Sequence, residues 1–366
     1  MPEHRRRWPP RRPRHPLSRL AASRPAHRRL LAVATGLILL FAGYLVVTLD
    51  PLGVTRPGGD SPDPAPTSGL GAADPDRPAD RTTPAPRGQP PADAPAPAPG
   101  PGRGSGSACP AFPEFPDQNC TGWRHTGVSL RDCPTTITEN GARLDGCRFP
   151  GGVTILASDV TITRSLIHGL VEPHDSLRGL SLIDVEIDGS GQPDPQGEAA
   201  IGNGDYSCLR CHIHSSGRGA TLDRNVRIED SYLHGFVYTD GVHQTAIGSN
   251  GGSGFSIIHN HLECSTDGCS AALSLYGDFF PIEDVLIQRN LFNTTGSFCT
   301  YAGSVPGKPF PTGTGIRYLD NRFGKKFHSG CGIYGPVTSW EQHQGNQWQG
   351  NQWQDGSGSV APQAGP

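Results

Sequence analysis

Nine polar side chains in the middle of the chain lie next to the last apolar residue of successive short repeats. They are His168, Glu186, Asp188, His212, His214, Tyr232, His234, His261 and Glu263. Imidazole nitrogens and carboxylate oxygens bind divalent transition metals, and an imidazole–carboxylate pair can act as general acid and base. If the repeats stack about 4.8 Å apart, then Asp188, His214 and His234 share one column and could hold a divalent metal ion. With Tyr232, the same face could instead bind a sugar.

We call these nine residues the strip. A solvated face is the plain alternative, because the exterior of a repeat protein must be polar somewhere and needs no ligand for that. We also expect the carboxylates to favour the charged imidazolium and so to raise the pKa values of the histidines. A divalent metal is the only cofactor that the pattern suggests.

A second pair of candidate residues, Asp240 and His243, lies in the segment TDGVHQ (239–244). A carboxylate and an imidazole this close in sequence can share acid–base catalysis. We expect the pair on a different strand face from the strip. An aspartate that caps a loop beside a surface histidine is the alternative interpretation.

The strip depends on a scaffold that repeats. A short pattern occurs nine times: an apolar residue, two spacers, a small or amide residue, one spacer and an apolar residue. Its occurrences are Leu144–Phe149, Ile162–Ile167, Leu182–Ile187, Cys208–Ile213, Ile228–Leu233, Ile257–Leu262, Ile287–Phe292, Tyr318–Phe323 and Trp348–Trp353. Alternating β-branched residues before the pattern favour strands, and a regular period of this length predicts a solenoid.

One column of the repeat supports the stacking of strands. Asn260, Asn290, Asn321 and Asn351 occupy the same position in four consecutive repeats. Asparagine suits a tight corner, and equivalent amides about 4.8 Å apart can hydrogen-bond along a stack. We therefore predict an asparagine ladder, with the last apolar residue of each repeat facing inward and its two neighbours facing outward.

The repeats resemble those of the right-handed parallel β-helix of the pectin-lyase-like superfamily, in particular repeats of actinobacterial surface proteins. The segments GCSAALSLYGDFFPIEDVLIQRNLFNTTGSFCTYAGSVPGKP (268–309) and GNQWQGNQWQDG (345–356) carry the resemblance. It implies an all-β fold, a right-handed parallel β-helix of about nine coils over residues 109–355. It also implies the chemistry of polysaccharide lyases or glycoside hydrolases.

Catalytic signatures of that superfamily are sparse in this chain. Residues Tyr238–Gly241 (YTDG) are similar to a strand motif of polygalacturonases. Residues 109–355 contain no adjacent aspartate pair, no G-H-G, no R-x-K, and neither the W-I-D-H nor the R-x-P-x-x-R motif of pectate lyases. These gaps favour a binding module over an enzyme.

The chain before the repeats divides by composition. Residues 1–29 contain ten Arg, and residues 30–49 form an uncharged apolar run long enough to span a bilayer. The positive-inside rule predicts a cytoplasmic N-terminus, a single-pass anchor at 30–50 and an extracytoplasmic remainder; a cleaved signal peptide is the alternative. Residues 51–108 hold 15 Pro, 10 Gly and no aromatic residue, which predicts a disordered linker. Residues 356–366 are expected to form a disordered tail.

All ten cysteines follow residue 108, and an even count on the predicted extracytoplasmic side indicates disulfides. The spacing leaves the pairing open, and we favour Cys109–Cys120, Cys133–Cys147, Cys208–Cys211, Cys264–Cys269 and Cys299–Cys331. The sequence CLRCH (208–212) also matches a metal or haem-attachment pattern. Cys208 falls at an inward position of the repeat, however, where a haem has no room, and a core thiol is the alternative to a disulfide.

These features predict a membrane-anchored, extracytoplasmic β-helix module that binds glycans or cell-wall polymer. A carbohydrate-active enzyme of the polysaccharide lyase or glycoside hydrolase type is the alternative. The net charge is −3 with the arginines concentrated in residues 1–29, so the repeat region is acidic and nucleic acid is excluded as its partner. The sequence carries no signal for an oligomeric state.

Overall fold

The computed structural model describes residues 108–190, 198–238, 240–343 and 345–362. The predicted basic segment (1–29), the anchor (30–50) and, apart from Ala108, the linker (51–108) lie outside these residues. Within the described ranges, no helix has the length and apolar character needed to cross a bilayer.

Short strands make up nearly all of the regular secondary structure in the described residues. In chain order they are β1 Arg131–Asp132, β2 Thr136–Ile137, β3 Arg143–Asp145, β4 Cys147–Pro150, β5 Val153–Ile155, β6 Thr161–Thr163, β7 Leu166–His168, β8 Val171–Pro173, β9 Leu180–Ile183, β10 Glu186–Asp188, β11 Ala199–Ile201, β12 Tyr206–Leu209, β13 His212–His214 and β14 Arg218–Thr221. They continue with β15 Arg224–Glu229, β16 Tyr232–Leu233, β17 Gln244–Ser249, β18 Gly252–Ile258, β19 His261–Cys264, β20 Cys269–Leu275, β21 Ile282–Gln288, β22 Leu291–Thr294, β23 Phe298–Ala302, β24 Thr314–Leu319, β25 Arg322–Phe323, β26 Gly335–Thr338, β27 Gln347–Gln349 and β28 Gln352–Trp353. A 3₁₀ turn covers Arg124–Thr126.

Each turn of the chain adds one strand to each of three parallel sheets. Sheet A has ten strands in the order β1-β4-β7-β10-β13-β16-β19-β22-β25-β28. Sheet B runs β2-β5-β8-β11-β14-β17-β20-β23-β26, and sheet C runs β3-β6-β9-β12-β15-β18-β21-β24-β27. Neighbouring strands thus come from consecutive coils, which fits the predicted right-handed parallel β-helix, the usual hand for parallel crossover connections.

The core runs along the axis of the coils. The last apolar residue of each repeat faces inward, as predicted: Ile167, Ile187, Ile213 and Leu233 are each 0 % exposed and stack in register on sheet A. Because side chains alternate across a strand, the residues on either side of these positions face outward. The register of the strip therefore follows directly from the apolar column.

The asparagine ladder is confirmed. Asn290 Oδ1 accepts hydrogen bonds from the backbone N–H of Asn260 at 2.9 Å and from its side-chain amide at 3.0 Å. Asn321 and Asn351 repeat both contacts one coil further on. Buried amides that bond both a neighbour's backbone and its side chain leave few unsatisfied groups at the corner.

A residue with left-handed backbone precedes each position of this column. These residues are Gly146, Arg164, Asp184, Arg210, Asp230, His259, Arg289, Asp320 and Gly350. That conformation strains a residue with a side chain, and ion pairs between adjacent coils offset part of the strain. Arg210 Nε lies 2.6 Å from Asp184 Oδ1, and His259 Nδ1 lies 2.6 Å from Asp230 Oδ1.

Four of the five predicted disulfides are present: Cys109–Cys120, Cys133–Cys147, Cys264–Cys269 and Cys299–Cys331. The predicted Cys208–Cys211 bond is wrong, because both thiols are free and buried. Cys208 fills a core position of β12 between Leu182 and Ile228, while Cys211 lies past the corner and donates its backbone N–H to Ser231. Burial raises the pKa of the Cys211 thiol well above its ordinary value, which makes it unreactive.

The end of the domain also differs from the prediction. Val360 is 3 % exposed and belongs to the core, and its carbonyl accepts a hydrogen bond from Trp348 Nε1 at 2.8 Å. Residues 356–362 therefore close the last coil rather than beginning a disordered tail. Residues 363–366 lie outside the described residues.

Candidate functional site

Adjacent strands of sheet A bring the middle of the strip together. Between β10 and β13, Glu186 pairs with His212 and Asp188 pairs with His214. These two columns are the outward columns that the repeat register predicts. Glu186 and His212 are nevertheless only 2 % and 8 % exposed, so this part of the face is not a solvated surface.

Stacked rings continue the strip on the following coils. Tyr232 pairs with His212 on one side and with His261 on the other. Its ring stacks on that of His234 with centroids 4.0 Å apart, and on that of His261 at 4.6 Å. This stacking holds each ring in a defined orientation.

We call Glu186, His212, His214 and His234 the histidine cluster. His212 Nε2 lies 2.8 Å from His234 Nε2, and His214 Nε2 lies 3.3 Å from Glu186 Oε1. One ligand atom from each of Glu186, His212 and His214 lies within 4.8 Å of the other two. This grouping differs from the predicted metal set of Asp188, His214 and His234, since Asp188 Oδ1 lies 3.7 Å from His214 Nδ1, the other ring nitrogen.

The two ends of the strip have other partners. His168 lies at one end, with 42 % of its side chain exposed and its Nδ1 3.5 Å from Asp188 Oδ2. Glu263 lies at the other end, where it is buried and binds Lys326 Nζ at 2.7 Å. His261 Nε2 is 3.8 Å from Glu263 Oε2. The strip is therefore three neighbouring polar sites rather than one.

The segment 109–127, which we call the N-terminal segment, covers the histidine cluster. Gly122 donates its backbone N–H to the carbonyl of Arg210 at 2.8 Å. A Cβ on Gly122, whose φ is +73°, would lie 3.0 Å from Cβ of His212 and 3.2 Å from Cβ of Glu186. Arg124 then reaches Glu186 Oε1 at 2.9 Å. Glycine is required here both for the backbone conformation and for the close approach.

Further contacts fasten the N-terminal segment along the corner between sheets C and A. His125 Nε2 lies 3.1 Å from Asp184 Oδ1, and His259 Nε2 lies 2.9 Å from the carbonyl oxygen of Glu114. The Arg322 guanidinium lies 4.7 Å from the centroid of the Phe112 ring. No repeat pattern marks this segment in the sequence, so its place on the strip was not predicted. The position of Cys109 and Cys120 before the first repeat is the one feature of the sequence that indicates an ordered segment there.

Glu186 is the charged centre of the cluster. Burial raises the pKa of its carboxyl, but hydrogen bonds to His214 and Arg124 and the positive charge of Arg124 outweigh burial and bring the pKa to about 2. Glu186 is therefore ionised at any physiological pH. Its second oxygen, Oε2, is buried and has no hydrogen-bond partner among the described residues.

Three histidines of the strip, His212, His234 and His261, shift in the direction opposite to the one we predicted. Burial lowers the pKa of His212 to about 3, helped by the charges of His214 and His234. Burial likewise lowers the pKa of His234 to about 4 and that of His261 to about 4. Desolvation outweighs the nearby carboxylates because the N-terminal segment and the ring stack remove water from the imidazoles. Neutral imidazoles keep a lone pair that can bind a metal.

A cleft with a volume of 1480 Å³ lies on the outer face of sheet B. His243 lines it, and its Nδ1 lies 3.1 Å from Ser270 Oγ. Asp240 is exposed near the rim and accepts a hydrogen bond from the Tyr238 hydroxyl at 3.1 Å. As expected, this pair lies on a different face from the strip, with a separate partner for each residue.

The floor of the cleft is flat and polar. Thr221, Gly248, Ser274 and Tyr301 occupy one register position on consecutive strands β14, β17, β20 and β23. Small side chains keep the floor low until the ring of Tyr301 closes it. The shared register could have identified these residues from sequence, but the strand that carries them is not marked by the repeat pattern.

Aromatic side chains and an ion pair line one end of the cleft. The rings of Tyr276 and Tyr301 have centroids 5.2 Å apart. Lys308 Nζ lies 5.0 Å from the centroid of Tyr276 and 2.7 Å from Asp278 Oδ1. Phe280 at the rim is 66 % exposed. The adjacent Phe279 is 67 % exposed, and neighbouring exposed apolar rings with a polar surround are typical of an interaction site.

No protein-family model, curated protein or solved structure matches the chain. The fold and the two faces therefore define its class. It is a parallel β-helix with a closed histidine cluster on sheet A and an open cleft on sheet B.

Proposed function

We propose that the chain is an extracytoplasmic β-helix module of the pectin-lyase-like type that binds an extended glycan in the cleft on sheet B. The observation that carries this proposal is the cleft itself, 1480 Å³ of open groove with a polar floor and aromatic side chains. Flat aromatic rings match the apolar faces of sugar rings, and hydroxyl groups on the floor match their hydroxyls.

The charges of the cleft favour a neutral glycan over an acidic one. Lys308 is paired with Asp278, and Arg224 is paired with Asp205 at 2.6 Å. An acidic polymer would have to compete with these carboxylates for the cations. Asp267 and Glu283 also line the cleft and would repel a polyanion.

The strip is a poorer glycan platform, although its residue types suggested one. Glu186 and His212 are buried beneath the N-terminal segment, so a polymer would have to displace that segment first. The cleft needs no such rearrangement. Four disulfides support an oxidising, extracytoplasmic location, with residues 30–50 as the proposed single-pass anchor.

Binding of the full-length chain to neutral and acidic oligosaccharides tests the proposal. We expect binding to a neutral β-linked glycan and weaker binding to polygalacturonate at the same salt concentration. Tyr301→Ala should weaken binding about 2- to 10-fold, since one stacked ring contributes about 0.5–1.5 kcal/mol. Tyr334→Ala removes an exposed tyrosine that does not line the cleft and should bind as the wild type does. Equal binding by both variants would contradict the proposed site.

A carbohydrate-active enzyme is the second candidate, favoured by the presence of His243 and carboxylates in the lining of one cleft. Asp267 and Glu283 line the same groove as the imidazole, and acid–base cleavage needs such groups near the ligand. Release of reducing ends or unsaturated products from a bound glycan, lost in His243→Ala, would support an enzyme. Binding without product release supports the module.

A further inference from the structure

The histidine cluster contains polar atoms without a partner. Glu186 Oε2 and His212 Nδ1 are both buried, and neither has a hydrogen-bond partner within the described part of the chain. Both side chains are more than nine-tenths buried. A buried carboxylate oxygen and a buried imidazole nitrogen that both lose hydration without regaining a partner form an arrangement that proteins rarely keep without a ligand.

The ring nitrogens of the cluster also converge on one another. His212 Nε2 and His234 Nε2 are 2.8 Å apart, so one must carry a proton that the other accepts. His214 turns Nε2 toward Glu186 at 3.3 Å, while Ser215 Oγ lies 2.8 Å from its Nδ1. The outer hydroxyl orients the ring and leaves the inner nitrogen facing the carboxylate, as in metal sites with an oriented histidine.

We propose that Glu186, His212 and His214 bind a divalent transition-metal ion, with His234 beside them as a fourth donor. Two or three imidazole nitrogens and a carboxylate oxygen suit Zn²⁺ and its neighbours, whereas Mg²⁺ and Ca²⁺ prefer oxygen ligands alone. The ligand atoms lie within 4.8 Å of one another. A tetrahedral Zn²⁺ with bonds of about 2.0–2.1 Å needs them about 3.4 Å apart, so the widest separation must close by up to about 1.4 Å.

The positive charge of Arg124 already pairs with Glu186 at this site, where the metal ion would bind. Its guanidinium bonds the same Glu186 oxygen that faces His214, and 60 % of its side chain is exposed. A metal ion would compete with this guanidinium for Glu186, and the long exposed side chain can move away into solvent. Removing the guanidinium should therefore strengthen metal binding rather than weaken it.

Asp188 takes a supporting position in this arrangement. Its carboxylate faces His214 Nδ1 at 3.7 Å and His168 at 3.5 Å, on the far side of the ring from Glu186. We infer that Asp188 positions His214 rather than binding the ion. The proposal is independent of the glycan cleft, because the two sites lie on different sheets.

Titration of the full-length chain, purified in detergent and freed of metal with a chelator, tests the site. Calorimetry with Zn²⁺ should give one ion per chain with a Kd of about 10 μM or tighter. His212→Ala and Glu186→Gln should each weaken binding by about 100-fold or more. Arg124→Ala should tighten it several-fold. The control His174→Ala removes an exposed histidine bonded to Ser176 and should leave the Kd unchanged.

Two further measurements keep the result decisive if a variant folds poorly. Co²⁺ in place of Zn²⁺ should give the visible absorption of a tetrahedral complex in the wild type and lose it in Glu186→Gln, which keeps the shape of the side chain. Saturating Zn²⁺ should raise the Tm of the wild type but not that of Glu186→Gln. A wild-type Kd weaker than about 1 mM, or unchanged binding in both ligand variants, would overturn the proposal.

Discussion

The outward faces of sheets A and B are built on the same coils, but one is covered and the other is open to solvent. On sheet A the N-terminal segment lies against the strands and removes Glu186 and His212 from water. On sheet B the strands remain open beneath a 1480 Å³ cleft. One face is a closed, desolvated cluster, and the other is an accessible groove.

The difference follows from the length of the connections. Between sheets C and A, two residues link β18 to β19 (259–260), and the asparagine ladder holds that corner tight. Eleven residues (303–313) link β23 to β24 beside sheet B. Short corners leave a flush surface on which another segment can lie, whereas long loops rise above the sheet and form walls. In this β-helix, loop length rather than strand sequence decides which face is open.

The largest effect that we expect is a loss of stability at low pH, caused by the buried histidines on sheet A. His212, His234 and His261 have folded pKa values below the unfolded value of 6.5. Between pH 6.5 and about pH 4 the unfolded chain binds more protons, so stability falls as the pH falls. We expect metal-free protein to lose up to about 3 kcal/mol of unfolding free energy for each of these histidines from pH 7 to pH 4, since each pKa lies about 2.5 units or more below 6.5 and one unit is about 1.4 kcal/mol.

Denaturant unfolding at a series of pH values measures this loss. His212→Asn removes the most strongly shifted imidazole and should flatten the curve, whereas His174→Ala, on an exposed position, should leave it unchanged. A curve that is flat between pH 7 and pH 4 in the wild type would show that the cluster is hydrated, and the contrast between the two faces would be lost.

The asparagine ladder at the corner between sheets C and A gives the next largest effect. Asn290→Leu removes an amide that bonds Asn260 at 2.9 Å and donates to the carbonyl of Ile257 at 2.8 Å. We expect a loss of about 1–3 kcal/mol, because buried partners on both coils lose their hydrogen bonds. Equilibrium unfolding in urea measures it. A loss below about 0.5 kcal/mol would argue against a ladder that stabilises the corner.

Gly122→Ala tests whether the close approach of the N-terminal segment is what covers sheet A. The added Cβ would lie 3.0 Å from Cβ of His212, and the left-handed backbone adds strain, so we expect a cost of about 1–2 kcal/mol. Gly127→Ala is the matched control, since Gly127 has φ +68° and nothing within 4 Å of its Cβ. Faster amide exchange at position 122 and at Cys211 in Gly122→Ala, but not in Gly127→Ala, would show that the N-terminal segment has loosened. An equal loss of unfolding free energy in both variants would leave backbone strain as the sole cause.

The smallest effect is expected beside the open face. Tyr334 is 69 % exposed, and the centroid of its ring lies 5.9 Å from that of Phe298. Tyr334→Ala should change the unfolding free energy by about 0.5 kcal/mol or less, as thermal unfolding can measure. A larger loss would mean that the loops beside sheet B contribute to the stability of the domain as the packing on sheet A does.

Much of the fold could be predicted because its determinants are local and periodic. The inward column that includes Ile187 and Ile213, and the ladder of Asn260 and Asn290, each depend on residue type at a fixed place in the repeat. Parallel stacking then brings equal positions together at a constant spacing. The outward pairing of Glu186 with His212 followed from that register alone.

Tertiary structure decided how those columns are used. The N-terminal segment has no period, so only its contacts through Gly122 and Arg124 reveal that it covers the histidine cluster. That cover reversed the direction of the histidine pKa shifts, because desolvation depends on what lies above a side chain and not on its neighbours in the column. Register pairs Asp188 directly with His214 and Glu186 with His212, but the orientation of the imidazole ring, set by packing, turns His214 Nε2 toward Glu186.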